Sequence, residues 1–247
     1  MAERKKPPKE PVEHGVIGGT VIALIKGIIA LIFTLVFAVM LEWAGMAWWW
    51  KDQGTEHSRA MLANEVAYLN ERFSESGIVT GSAHFAARMS EWFFGVFKWT
   101  RLDEAAQWLK QPTPAQPPQE IGARIKERWR QILKHVADHL IAAMTITQVF
   151  AVRLAILMMA LPAFVLFALV GLCDGLVQRD LRRWGGGRES SFVYHHAKKV
   201  VLPMFIGVWI VYLGMPVSVN PSWVIVPFAA SFGVSLAITA ATFKKYL

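Results

Sequence analysis

Two histidines four residues apart are the first pattern in this sequence whose spacing suits chemistry. The run His135-Val136-Ala137-Asp138-His139 has the form of the H-x-x-E-H motif of a metalloprotease, with aspartate where glutamate belongs. Histidines at i and i+4 lie on one helix face and could share a metal. A catalytic zinc needs a third protein ligand and an activated water, and no third ligand stands out elsewhere in the sequence. Both histidines fall on the border of an apolar stripe through Trp129, Ile132 and Val136. Partly exposed histidines flanking a packing face are the simpler reading, and no metal ligand is assigned.

The other polar patterns are weaker as chemistry. Trp184-Gly185-Gly186-Gly187-Arg188-Glu189-Ser190 is glycine-rich but lacks the G-x-x-x-x-G-K-[ST] spacing that cradles phosphates. Three glycines among arginines read instead as a turn lying against lipid headgroups. Arg179, Arg182, Arg183 and Arg188 crowd around that turn and are the candidate contact for a protein partner or for anionic lipid, since guanidinium suits carboxylate and phosphate. His195 and His196 are adjacent and point apart on a helix, so they are poor joint ligands. Glu42 and Arg153 are isolated charges at the ends of apolar runs. Ionisable groups in such places usually have partners, and an ion pair between the two at the outer interface is the expectation. Lys26 can snorkel to the inner interface. Cys173 is the single cysteine and reads as a packed small hydrophobe. There is no Ser–His–Asp order, cysteine cluster, paired acid or cofactor fingerprint. No catalytic residue and no cofactor is assigned, and the chain is not expected to be an enzyme.

The elements that must position these residues are long and apolar. Of 247 residues, 54% are hydrophobic and 18% charged, against about 25% charged in a soluble domain. Several runs of roughly 20 residues carry almost no charge, the length that crosses a bilayer core about 30 Å thick. The expected fold is all-α, with four transmembrane helices and a helical periplasmic insertion between the first and second. Residues 1–16 form a basic cytoplasmic tail and 17–50 the first transmembrane helix. The first span ends in Trp43, Trp48, Trp49 and Trp50, a cluster suited to the membrane–water interface. This run reads as an uncleaved signal anchor, with a cleaved signal as the weaker alternative.

Residues 51–148 form the periplasmic helical region. In it Leu62, Val66, Leu69 and Phe73 mark one helix face, and Ser74 to Gly81 reads as a loop. Phe85, Met89, Trp92, Phe93 and Val96 mark a second face. Pro112 to Pro118 is a stiff connector. Ile125, Trp129, Ile132, Val136 and Leu140 form a third stripe. No breaker separates it from the second transmembrane helix, 149–172, so one long helix should enter the membrane, kinked at Pro162. A basic cytoplasmic loop, 173–199, precedes the third and fourth transmembrane helices within 200–243, which meet at a turn at Asn220-Pro221. Residues 244–247 end the chain in the cytoplasm.

Charge sets the orientation. The net charge is +8, which in a soluble protein would raise nucleic acid as a ligand. Here the basic residues flank the apolar runs, where the positive-inside rule accounts for them, and no direct nucleic acid binding is expected. The long segment holds 12 Lys and Arg against 11 Asp and Glu, and segments of that length translocate regardless of charge. Both termini and 173–199 are therefore placed inside.

One stretch has a more specific character. The run from Gly171-Leu172-Cys173-Asp174-Gly175 through Arg179-Asp180-Leu181-Arg182-Arg183-Trp184 and Gly185-Gly186-Gly187 to Tyr194-His195-His196-Ala197-Lys198 follows a basic tail, a span and a segment of about a hundred residues. In this it resembles the integrating conjugative element membrane protein family, found in conjugative elements and plasmids and built on a domain of unknown function. The likeness covers nearly the whole chain, but only 171–198 is specific. It carries over no catalytic residue. It implies the setting of conjugative DNA transfer, and with no catalytic centre among the residues the expected role is a non-enzymatic inner-membrane component, a scaffold or partner of the transfer machinery. Its partners would be membrane lipids and other membrane proteins of the machinery, including the coupling ATPase. A small transporter or channel subunit is the alternative, disfavoured by the lack of charge at the midplane of the third and fourth spans.

Overall fold

The computed structural model describes residues 16–75, 88–89, 91–92, 95, 121–186 and 191–243, with side chains for all of these except 16–17, 70–75, 121–135 and 191. Among the described residues the long helices are α1 (Val16–Trp48), α2 (Glu56–Glu75), α3 (Ile121–Trp184), α4 (Ser191–Gly214) and α5 (Pro221–Thr242). No strand occurs among the described residues. Among the described residues four stretches are long and apolar enough to cross a membrane: Gly18–Trp48, Val136–Trp184, Phe192–Gly214 and Pro221–Thr242.

The absence of a breaker after the third stripe has the expected result. α3 is one uninterrupted helix of 64 residues that passes through Pro162. α4 and α5 also hold an internal proline, Pro203 and Pro227, which apolar membrane helices tolerate better than soluble ones. α5 opens in the order helix starts favour. Asn220 is the N-cap, its side chain accepting from the Ser222 N–H at 3.1 Å, and Pro221 takes the first helical position.

α3, α4 and α5 form the bundle, with α5 packed between the other two. Small residues bring α3 and α5 into backbone contact. A Cβ on Gly171 would run into the Gly233 carbonyl, and one on Gly175 into the Ala237 carbonyl. The offset is the same for both pairs, so the two helices run in the same direction. This is the small-xxx-small packing of membrane helices. The core is lined by Phe150, Leu154, Leu157 and Phe164 of α3, Val208 and Tyr212 of α4 and Ile225 and Ala229 of α5. α1 lies against α3 and α4 through its second half, where Leu31 and Leu35 meet this core. Most of its large apolar side chains stay exposed. Trp48, Trp49 and Trp223 are exposed toward one end of the bundle, Trp184 and Phe192 at the other, an arrangement that suits two aromatic belts.

Three boundaries differ from the sequence reading. The segment 173–199 is mostly helix, because α3 continues to Trp184 and α4 begins at Ser191. Loss of apolar character does not end a helix. The glycines do, and Gly186 adopts φ 65°. α2 extends to Glu75, two residues into the expected loop. Its inner face is Ser58, Met61, Glu65 and Leu69, and Val66 is exposed. On α3, Ala137 is inward and Val136 is exposed. Phe85, Phe93, Val96, the proline connector 112–118 and the side chains of Phe73, Ile125, Trp129, Ile132 and His135 lie outside the described residues.

Candidate functional site

The strongest polar feature is a buried ionic cluster where α2 meets the bundle. Arg153 of α3 is 1% exposed, and Glu65 of α2 is fully buried. Arg153 Nε and Nη2 both donate to Glu65 Oε1, at 2.9 and 2.7 Å. Nη1 donates to the Met215 carbonyl at 2.5 Å, and Nη2 also to the Val217 carbonyl at 2.7 Å. The other Glu65 oxygen accepts from the Tyr212 hydroxyl at 2.9 Å, and the guanidinium lies 5.4 Å from the Tyr212 ring centroid. Ser218 Oγ donates to the Met61 carbonyl at 3.1 Å. Two charges removed from water are tolerable only when paired and when their remaining hydrogen-bonding sites are filled. Here that requirement ties α2, α3, α4 and the turn 215–220 together.

A second cluster lies beside it at the end of α1. Glu42, 1% exposed, meets Nδ1 of His57 at 3.0 and 3.2 Å from its two oxygens. The His57 ring stacks on Trp50, with centroids 3.9 Å apart and planes at 15°. Gly45 makes this possible, since a Cβ there would occupy the space of the Trp50 indole. The N–H groups of Trp49 and Trp50 both reach the Gly45 carbonyl at 2.9 Å, closing α1. Gly54, at φ 53°, turns the chain into α2. Trp43 Nε1 donates to the His139 carbonyl at 2.9 Å and joins α1 to α3.

The expected Glu42–Arg153 pair is therefore corrected. Each residue is buried and paired, but with a different partner: His57 for Glu42 and Glu65 for Arg153. Both partners are on α2. Glu42 and Arg153 face a common cavity of about 10 Å³ with Met61, Leu213 and Met215. Apolar periodicity missed Glu65 because it aligned α2 on Val66. The available signal was the spacing Ser58-Met61-Glu65-Leu69 together with an arginine in an apolar run, 139–173, that holds no acid of its own. Tyr212, a hydroxyl in an otherwise apolar stretch, was a further sign.

The three described arginines, Arg179, Arg182 and Arg183, have different surroundings. Arg182 donates to the Ala241 carbonyl, filling one of the acceptors a helix end leaves open. Arg179 is half-buried, with Nε 3.8 Å from Asp180 and no hydrogen bond to that nitrogen. Arg183 is exposed. Arg188 lies outside the described residues. His139 is edge-on to Trp43, and His196 Nδ1 meets the Phe192 carbonyl at 2.9 Å. His195 packs edge-on to Tyr194, and Cys173 is exposed, not packed as its sequence context suggested. Among the described residues no three His, Cys, Asp or Glu side chains stand close enough to hold a metal.

No curated protein and no solved structure matches the chain. A family profile does, over residues 49–244, a span that takes in His57, Glu65, Arg153 and Tyr212. That span covers most of the chain and agrees with the resemblance to membrane proteins of conjugative elements and plasmids. The chain belongs to the DtrJ-like family, described as IncC plasmid conjugative DNA transfer proteins.

Proposed function

We infer that this protein is a non-enzymatic inner-membrane scaffold of the conjugative transfer machinery. Four helices cross the membrane, both termini and 173–199 face the cytoplasm, and 51–148 face the periplasm. The observation that carries the reading is the way Arg153 is used. Its hydrogen bonds go to Glu65, Met215 and Val217, so the buried charge holds the α2 segment to the membrane bundle and does not face a substrate cleft. A scaffold needs this, since it must present two faces in fixed relation. The cytoplasmic face would be the arginine-bearing end of α3, with the coupling ATPase among its partners.

The test is a mating assay with donor cells lacking the gene. Transfer frequency should fall sharply and be restored by the wild-type chain. Lysine at 179, 182, 183 and 188 keeps the positive charge that orients the chain but removes bidentate contacts. That variant should insert normally, reach wild-type abundance and transfer poorly. Undiminished transfer without the gene would end the reading. Full transfer by the lysine variant would remove the arginines from it.

A further inference from the structure

At the arginine-bearing end, α4 and α5 diverge and leave a groove open to the outside. Its volume is about 560 Å³, and it is lined by Phe192, His196 and Val200 of α4 and by Ser231, Val234 and Ile238 of α5 among others. This lies within the range of about 300–1,000 Å³ typical of ligand clefts. The two helices are antiparallel, so the groove has a shallow half near the α4 start and a deep half further in. The deep half is lined by apolar and small side chains, Ser231 among them. Val200 and Val234 form its walls, and the Ser235 hydroxyl is turned onto the carbonyls of Ser231 and Phe232 at 2.8 and 2.9 Å. The shallow half carries His196, whose Nδ1 bond to the Phe192 carbonyl fixes the ring. Lys199 is exposed three residues further along α4, next to His196 on the helix surface. Neither α4 nor α5 contains an acidic residue, so the Lys199 ammonium is not neutralised on its own helix.

We propose that this groove binds an anionic phospholipid, with one acyl chain in the deep half and the phosphate at His196 and Lys199. The proposal rests on the chain being a membrane protein. An apolar trough with a histidine on its rim and an exposed lysine beside it matches the anatomy of a phospholipid. Lys198 sits over the Tyr194 ring at 5.9 Å, which assigns the phosphate to Lys199.

The test uses the full chain, purified in mild detergent and stripped of lipid, with thermal unfolding followed after adding phosphatidylglycerol or phosphatidylcholine. Phosphatidylglycerol should raise Tm by about 4 °C more than phosphatidylcholine, as a ligand that binds only the folded state does. The paired change Lys199→Gln with His196→Gln should erase that difference. Val234→Trp, at an exposed position, should fill the trough and abolish the shift. If that variant does not fold, Ser231→Leu serves the same purpose. Equal shifts from the two lipids would overturn the proposal. So would a phosphatidylglycerol shift that survives Val234→Trp, since the lipid would then sit on the arginines alone. Loss of a co-purifying membrane protein in Val234→Trp, with the lipid shift intact, would give the groove to a partner helix. Transfer in the mating assay without any lipid preference would sink this inference and leave the scaffold reading standing.

Discussion

Arg153 has no room for a water shell, so its charge is tolerable only while Glu65 and the two carbonyls hold it. Removing Glu65 strands a buried cation, and removing Arg153 strands a buried anion. Either change costs about 3–5 kcal/mol, where losing both together costs much less than the sum. A double-mutant cycle of Arg153→Gln and Glu65→Gln, read by thermal unfolding in detergent, should therefore show strong coupling. The same cycle between Arg153→Gln and Glu42→Gln should show markedly less, because Glu42 is held by His57. Equal coupling in the two cycles would restore the pairing the sequence suggested. Tyr212→Phe removes one donor from a buried carboxylate and should cost about 1–3 kcal/mol. At this scale the sequence showed which charges needed partners and not which partners they had. Glu65 lies 88 positions before Arg153, on a face that apolar spacing turned outward. Pairing across such a distance is decided by packing, which periodicity within one helix does not encode.

The helices themselves were legible. Apolar length marked four of them, and the lack of a breaker between the third stripe and the run 149–172 correctly joined two segments into α3, which however continues past 172 to Trp184. What escaped was register and contact. A one-residue shift moved Val66 out and Glu65 in. The approach of α3 to α5 depends on side chains that are missing at Gly171, Gly175 and Gly233, a pattern that apolar counting passes over. This gives a prediction at the level of the element. Gly171→Leu must push α3 off the Gly233 backbone, and overpacking of that kind costs about 1–3 kcal/mol. A fall in Tm should be seen, while Gly27→Leu, where the space is open, should leave Tm unchanged. Similar losses at both sites would mean that α3 and α5 do not depend on close approach.

For the molecule as a whole, the proposed orientation follows from charge alone, and it predicts the behaviour of fusions. Alkaline phosphatase joined near Pro117 should be active, and joined near Gly186 inactive. The reverse pattern would invert every role assigned to the two ends. Length has a further consequence. At 1.5 Å per residue, the 64 residues of α3 extend about 96 Å, about three times the thickness of a bilayer core. The Glu65 clasp and the Arg182 contact with the end of α5 therefore stand on one continuous rod, roughly 44 Å apart. In the proposed orientation, α2 and the last turn of α5 thus hold the same helix from opposite sides of the bilayer.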